Sequence, residues 1–216
     1  MKNFWIGVLL IAALTATSCK KNDKELIIKG VITSAHSGQP VGGANIKLSK
    51  NGLSSGAFNP TYNFVTSVES DGSGNYSLAF SGESPGEFKV ETSKDGFLKE
   101  TSFLSTEEVN VSQPFTLNQA LSPSGLLHIS LKNIQPGAEE DFLSFQLSEY
   151  SPICSCCPIG LMEFNGPVID YESTCTLPAN KWQRYVYFYM KDGNSSTSLD
   201  SVWVTPGQTN ELLIEF

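Results

Sequence analysis

The chain has 216 residues, of which 40% are hydrophobic and 17% are charged, and its formal net charge is −8. This length suits one large domain or two small ones, each able to bury a core. The acidic balance repels phosphate backbones, so we expect no nucleic-acid partner. Gly, Ser, Thr and Asn are plentiful, which favours turn-rich β structure over helices.

The first 18 residues have the layout of a secretory signal peptide. Lys2 supplies a positive charge, residues 4–14 are apolar, and small residues follow up to Cys19. The apolar stretch is shorter than the about 20 residues that span a bilayer as a helix. The sequence therefore predicts export, with cleavage after residue 18.

The residues around the predicted cleavage point also resemble a lipobox, the site at which a bacterial lipoprotein is cut before a lipid-bearing cysteine. Ala16 stands three residues before Cys19, where Leu is commonest. If Cys19 carries the lipid, four of the five cysteines remain. Four is an even number, so all of them can pair in an oxidising compartment. We expect lipid on Cys19, a linker over residues 19–25, and a location at the outer membrane or cell surface, with a periplasm-facing orientation left open.

After residue 20 no long stretch has apolar residues at helical spacing. Short apolar or alternating runs recur instead, separated by turn residues, which predicts an all-β fold of two β-sandwich domains in series. The first domain is expected over residues 26–118 and the second over residues 125–216. The predicted strands are Leu26–Thr33, Ala44–Ser49, Tyr62–Ser67, Asn75–Phe80, Glu87–Thr92, Lys99–Leu104, Val109–Leu117, Leu126–Asn133, Phe142–Glu149, Val168–Thr176, Trp182–Lys191, Ser198–Thr205 and Asn210–Phe216.

Two features of these runs predict how the strands are buried. Tyr76, Leu78 and Phe80 alternate with polar residues, which marks one buried face. Residues 183–191 are apolar on both faces, which predicts a central strand covered on each side, and Asp192-Gly193-Asn194 predicts a turn after it.

The first half resembles the carboxypeptidase regulatory-like domain, a transthyretin-like sandwich of seven strands. The motifs follow one another in the order of the family, over residues 26 to about 118. They are Gly30-Val31-Ile32, Gly38-Gln39-Pro40-Val41-Gly42-Gly43-Ala44, Asp71-Gly72-Ser73-Gly74-Asn75-Tyr76-Ser77-Leu78, Pro85-Gly86-Glu87-Phe88 and Lys94-Asp95-Gly96-Phe97.

This resemblance implies a scaffold and no catalysis. In metallocarboxypeptidases the module is an accessory beside a separate catalytic domain that carries the zinc ligands. The histidines of this chain, His36 and His128, lie in no His-x-x-Glu motif, and no serine lies in Gly-x-Ser-x-Gly. We therefore predict no catalytic residue, no metal ligand and no cofactor, and we expect His128 to be a cross-strand partner.

Cys154, Cys156, Cys157 and Cys175 form the unusual chemical cluster of the sequence. Four thiolates can hold zinc or Cu(I), and Cys154 with Cys157 forms a Cys-x-x-Cys redox spacing. In an exported chain, structural disulfides are favoured over both alternatives. Cys154 and Cys156 share a face in extended chain, so we expect one of them to pair with Cys175 and the other to pair with Cys157 or remain strained.

Two other groups of residues have alternative interpretations. Asp71, Ser73 and Asn75 have the alternate spacing of a calcium loop, but they coincide with a predicted turn. Trp182, Trp203 and the tyrosines at 185, 187 and 189 either stack on sugars or pack in the core, and core packing is the simpler interpretation.

The sequence thus predicts a lipid-anchored cell-envelope protein that acts as a non-catalytic binding or structural module. Its partners are the membrane, through lipid on Cys19, and an envelope protein or a glycan. One alternative is a glycan-binding accessory lipoprotein of a nutrient-uptake system. Another is a metal carrier that uses the cluster of Cys154, Cys156, Cys157 and Cys175.

Overall fold

The computed structural model describes residues 25–54, 57–81, 85–111, 113–134, 137–148, 157 and 160–216. The all-β prediction is confirmed, because these residues form strands and one short helix. The elements are β1 (Glu25–Ser34), β2 (Asn45–Ser54), β3 (Ala57–Glu69), β4 (Asn75–Ser81), β5 (Glu87–Ser93), β6 (Glu100–Ser105), α1 (Thr106–Val111), β7 (Phe115–Thr116), β8 (Gln119–Leu121), β9 (Ser124–Lys132), β10 (Phe142–Leu147), β11 (Met162–Asn165), β12 (Asp170–Pro178), β13 (Lys181–Lys191), β14 (Asn194–Val204) and β15 (Thr209–Glu215). Within the described ranges, no helix has the length and apolar character needed to cross a membrane.

The first eight strands form two sheets that share one core. In one sheet β1 pairs antiparallel with β4 and parallel with the short strands β7 and β8. The other sheet has the order β3-β2-β5-β6 and is antiparallel throughout. Buried side chains of both sheets form a single cluster, which makes this half a β-sandwich. The cluster contains Leu26, Ile28, Ile32, Val41, Ala44, Ile46, Leu48, Tyr76, Leu78, Phe80, Phe88, Val90, Leu104, Val109 and Leu121.

Strict alternation along β4 determines which of its side chains enter this core. Tyr76, Leu78 and Phe80 are buried and the residues between them are exposed, as the sequence predicts. Phe88 of β5 meets Phe80 from the opposite sheet, with 5.1 Å between the ring centroids. The aromatic contact therefore joins the two layers of the sandwich.

The remaining strands form a second pair of sheets around a separate core. In one sheet β9 lies between antiparallel β12 and parallel β15. The other has the antiparallel order β11-β10-β13-β14. The core cluster between them contains Leu127, Ile129, Leu131, Leu143, Phe145, Leu147, Cys157, Ile169, Cys175, Leu177, Val204, Leu212, Ile214 and Phe216.

A two-residue turn connects β13 to β14. Lys191 pairs with Asn194, and between them Asp192 has φ 51° and Gly193 has φ 72°. Two consecutive positive φ angles define the tight turn that matches the twist of a hairpin. The predicted turn at this position is confirmed.

The predicted strand at Val109–Leu117 is wrong. Residues 106–111 are helical, and the strand that follows, β7, has two residues. The Ser105 hydroxyl accepts a hydrogen bond from the Glu108 backbone N–H at 3.2 Å, and the Glu108 carboxylate accepts one from the Ser105 backbone N–H at 2.7 Å. This reciprocal pair is a capping box, which satisfies backbone donors at the start of a helix. Ser-x-x-Glu was the sequence signal for the helix.

Two further features of the second half and its start differ from the prediction. Met162–Asn165 forms a strand, β11, that the sequence pattern does not predict, because it has only four residues and sits at a sheet edge. The predicted domains leave residues 119–124 as a connection between them, but β8 pairs with β1 there and β9 already begins at Ser124. The two core clusters share no residue. Independent folding of the two halves stays a prediction.

Candidate functional site: the outer face of a four-stranded sheet

The structure brings two of the four clustered cysteines together. Cys157 and Cys175 form a disulfide, with 4.9 Å between their Cα atoms. Cys154 and Cys156 lie outside the described residues, as does Cys19. The expected pairing of Cys154 or Cys156 with Cys175 is therefore wrong.

The reason for this pairing is the direction of the Cys175 side chain. In β12 the inward positions include Cys175 and Leu177, both about 1% exposed, so a partner sulfur has to approach from the core. Cys157 is itself buried in the same cluster. The bond occupies two of the four sulfurs, so a metal site of four thiolates is excluded in this structure.

The other residues singled out in the sequence have structural roles. His128 Nδ1 lies 2.9 Å from the Thr174 hydroxyl on the neighbouring strand, which confirms the predicted cross-strand contact. His36 is exposed in a turn. The Asp71 carboxylate accepts hydrogen bonds from the backbone N–H groups of Ser73 and Asn75, so it closes a turn. Among the described residues, no three His, Cys, Asp or Glu side chains are placed to hold a metal ion.

Strand β13 separates its aromatic residues between two faces of its sheet. Tyr185, Tyr187 and Tyr189 pack against the second core and stack on one another, with centroid distances of 6.3 and 6.4 Å. Burial and then the nearby Asp200 carboxylate raise the pKa of the Tyr185 hydroxyl above its usual value. These three tyrosines are partly buried against the core, as the simpler interpretation held. That interpretation is wrong for Trp182 and Trp203, which are 59% and 40% exposed.

The opposite face of β13 is not covered by any described element. Trp182 is 59% exposed and Met190 is 41% exposed, and both point away from the core. The prediction that this strand is covered on each side is therefore wrong for its outer face. The outer face of β13 consists of Trp182, Arg184, Val186, Phe188 and Met190.

Neighbouring strands extend this outer face. Trp203 lies opposite Trp182, and Leu199 lies opposite Val186, both on β14. Leu199 is 71% exposed and Trp203 is 40% exposed. On the other side, Phe142 of β10 lies opposite Met190, and its ring centroid is 5.9 Å from that of Phe188. We call the set Phe142, Trp182, Val186, Phe188, Met190, Leu199 and Trp203 the outer apolar face.

The two tryptophans form one end of this face. Their ring centroids are 5.4 Å apart and their planes cross at 69°, an edge-to-face contact. Next to them the register places Arg184 opposite Ser201. This end therefore offers aromatic surface together with polar side chains, while the rest of the face is apolar.

The length of the face sets the kind of ligand that it fits. From residue 182 to residue 190 the strand advances about 26 Å at roughly 3.3 Å per residue. Contiguous exposed apolar surface of this extent in a folded protein marks an interaction site. This face is therefore the candidate binding surface of the second sandwich.

A smaller exposed aromatic group lies on the first sandwich. Phe64 and Phe103 are more than half exposed, and Tyr62 lies 6.0 Å from Phe103 between ring centroids. The Lys89 ammonium sits 5.3 Å above the Tyr62 ring, and the Glu87 carboxylate accepts the Tyr62 hydroxyl hydrogen. Charged side chains thus interrupt this group, which makes it a weaker candidate than the outer apolar face.

The fold and this surface define an all-β protein with two packed sandwiches and an exposed sheet face. More specifically, residues 27–122 match the family model of the carboxypeptidase regulatory-like domain. The resemblance inferred from the turn motifs is confirmed over the first half of the chain. The family is named for a regulatory module and not for a catalytic domain.

Solved structures and curated proteins add little to this assignment. The shaft pilin SpaA from Lactobacillus rhamnosus GG is 7% identical, with a TM-score of 0.33 over 89% of this chain and 97% of the pilin. The Bacillus anthracis TIE protein is 9% identical, with a TM-score of 0.36 over 88% of this chain. For 3-chlorocatechol 1,2-dioxygenase from Rhodococcus opacus 1CP the identity is 15% and the TM-score is 0.30 over 41% of this chain.

The chain spans 47% of the dioxygenase and 34% of the TIE protein. No curated protein matches the sequence. At these identities and TM-scores, the function proposed below does not rest on any of these proteins.

Proposed function

We propose that this protein is a non-catalytic binding module of the bacterial cell envelope. It is held at a membrane by lipid on Cys19, and it binds a partner protein through the outer apolar face of its second sandwich. The observation that carries this proposal is the exposure of Trp182, Leu199 and Trp203 on a face that no described element covers.

A protein partner fits this face better than a small ligand does. The apolar side chains extend along the whole of β13 on one sheet face, whereas small-molecule sites are concave and enclose their ligand. Tryptophan is among the residues that are enriched at the energetic hot spots of protein interfaces. The regulatory-like domain would then act as a spacer between the lipid and the binding surface.

Binding is tested with a pull-down from detergent-solubilised envelopes. The bait variants are Trp182→Ala combined with Trp203→Ala, and Leu199→Ser. Control variants are Val168→Ala and Leu213→Ala, which remove exposed apolar side chains outside this face. We expect the outer-face variants to lose at least about tenfold in affinity for a partner that the controls retain, since hot-spot truncations cost about 2 kcal/mol or more. Equal retention by both sets would show that the face is not the binding surface.

Lipid anchoring is tested separately. Cys19→Ser is expected to move the protein from the membrane fraction to the soluble fraction. Digestion of intact cells with an added protease then distinguishes a surface location from a periplasm-facing one. A wild-type protein that is already soluble would contradict the anchor and would leave the binding surface untouched.

A glycan ligand is the second candidate. It is favoured by the tryptophan end of the face, where Arg184 and Ser201 lie beside exposed indole rings. Sugars stack on aromatic faces while polar side chains bind their hydroxyl groups. Calorimetric titration with envelope and storage polysaccharides tests it. Binding that Trp182→Ala abolishes and Leu199→Ser preserves would favour the glycan over the protein partner.

A further inference from the structure

Three side chains of different chemistry meet at one end of the second sandwich. Asn133 follows β9, Asp141 precedes β10, and Lys191 ends β13. The Asn133 side-chain N–H donates to Asp141 Oδ2 at 3.0 Å, and Lys191 Nζ lies 3.6 Å from the same oxygen. An amide nitrogen and an amine nitrogen therefore contact one carboxylate oxygen.

Further contacts hold the amide of Asn133 in place. Its side-chain nitrogen also donates to the Pro167 carbonyl, and its oxygen accepts a hydrogen bond from the Ile169 backbone N–H at 3.0 Å. Lys191 Nζ donates to the carbonyl of Ile134, the residue after Asn133. The amine thus contacts the backbone carbonyl of the residue after Asn133, and the side-chain carbonyl of Asn133 is polarised by a backbone donor.

The carboxylate of Asp141 and the amide of Asn133 are shielded from water, and the Lys191 side chain is 18% exposed. Asp141 is 1% exposed and Asn133 is buried. The ring of Phe216 lies 5.9 Å from Lys191 Nζ and packs against Tyr189. Electrostatic interactions between fixed groups are stronger in such an environment than in water.

One carboxylate oxygen of Asp141 lies outside the hydrogen-bond network described above. Among the described residues, Oδ1 has no hydrogen-bond partner although it is buried. An unsatisfied buried carboxylate oxygen is costly, and such groups in native proteins often serve chemistry. Burial acts to raise the pKa of Asp141, but hydrogen bonds from Asn133 and the Ala138 backbone, together with the Lys191 charge, keep this pKa below its usual value. The carboxylate is therefore charged at neutral pH.

We propose that Lys191 and Asn133 become joined by an intramolecular amide bond, with Asp141 as the proton carrier. Asp141 Oδ2 accepts a proton from the Lys191 ammonium group, and the neutral Nζ attacks Cγ of Asn133. The bond between Asn133 Cγ and Lys191 Nζ forms, and the Ile169 N–H stabilises the negative charge that develops on Asn133 Oδ1. Asp141 passes its proton to Asn133 Nδ2, and the Cγ–Nδ2 bond breaks to release ammonia. The ammonia takes up the excess proton from Nζ and leaves as ammonium. No oxidant, reductant or other reactant is consumed.

The bond would connect the two sheets of the second sandwich. Asn133 follows β9 in one sheet, and Lys191 belongs to β13 in the other. The reaction occurs once in each molecule and is distinct from the binding function proposed above. Its outcome does not depend on which partner the outer apolar face binds.

The test is a tryptic digest of the purified full chain, followed by mass spectrometry. We expect a branched species in which the peptide containing Asn133 is joined to the peptide containing Lys191, with a mass lower than their sum by one ammonia. Cleavage after Lys191 should be lost, because trypsin does not cut after an acylated lysine. Unlinked peptides of unchanged mass from the wild-type chain would show a purely non-covalent network and would overturn the proposal.

Variants identify the role of each side chain. Asp141→Asn and Lys191→Arg are expected to lose the branched species. Lys132→Arg is the matched control, because Lys132 at the end of β9 pairs with Asp170 and Glu172 instead. The branched species should persist in this control. Persistence of the branched species in Asp141→Asn would contradict the assignment of Asp141 as proton carrier. If a variant does not fold, the digest of the wild-type chain still decides whether the bond exists.

Discussion

The Leu117 carbonyl passes directly over Gly30. A Cβ atom on Gly30 would lie 1.9 Å from the Leu117 carbonyl oxygen, which is far inside van der Waals contact. The same oxygen accepts a hydrogen bond from the Tyr76 hydroxyl at 2.7 Å, while the Leu117 N–H donates to the Lys29 carbonyl at 2.8 Å. The glycine that opens the family motif thus makes room for the segment that closes the first sheet.

We expect Gly30→Ala to destabilise the first sandwich by at least about 2 kcal/mol, since the methyl group has to displace backbone and overpacking costs about 1–3 kcal/mol or more. Denaturant unfolding of the full chain measures the change. Gly72→Ala is the control, because a Cβ at Gly72 meets nothing within 4 Å. Equal effects of the two substitutions would contradict the close approach.

Asp71 should make the stability of the first sandwich depend on pH. Hydrogen bonds from the Asn75 backbone and side chain lower the pKa of its carboxyl group in the folded state, although burial opposes them. A lowered folded-state pKa stabilises the fold above the unfolded-state value of about 3.9, and this contribution is lost as the pH falls through the folded-state pKa. Asp71→Asn should therefore lower the melting temperature at pH 7, with a difference that shrinks below about pH 4. A difference that is constant with pH would exclude this contribution.

The sequence was most informative where one side of a strand faces a core. Along β4 the alternation of Tyr76, Leu78 and Phe80 with polar residues identifies the buried face, because the side-chain period of a strand is two. Along β13 both faces are apolar, so alternation cannot show which face another layer covers. The exposure of Trp182 follows from the absence of a covering element among the described residues, which is a tertiary property that the local sequence does not encode.

Two other differences have distinct causes. The helix at residues 106–111 was missed because its six residues are too few for helical periodicity, although the capping box at Ser105 and Glu108 was readable. The meeting of Asn133, Asp141 and Lys191 was not readable, because residues far apart in the chain come together only through the pairing of β10 with β13.

The end of the first folding unit can be tested with two fragments, residues 26–118 and residues 26–122. The longer fragment includes β8, which pairs with β1 and contributes the fully buried Leu121. It also keeps Gln119, whose side chain accepts a hydrogen bond from the Thr92 hydroxyl. Burial of one leucine contributes about 2 kcal/mol, so the shorter fragment should be less stable by at least that amount. Equal unfolding midpoints would show that β8 is dispensable and would restore the boundary at residue 118.

The disulfide between Cys157 and Cys175 should stabilise the second sandwich. It closes a loop of 18 residues, and its sulfurs lie in the core cluster of that half. The chain-entropy estimate for a loop of this size is roughly 3 kcal/mol.

Replacing both Cys157 and Cys175 by serine is therefore expected to lower the unfolding free energy of the second half by about 3 kcal/mol or more, since two buried sulfurs also become polar hydroxyls. Replacing both Cys154 and Cys156 by serine is the matched control, because it removes the same number of sulfurs and leaves the Cys157–Cys175 bond intact. Thermal unfolding monitored by tryptophan fluorescence reports on the second half through Trp182 and Trp203. A larger loss of stability in the control pair than in the Cys157 and Cys175 pair would show that Cys175 bonds to a different cysteine in solution.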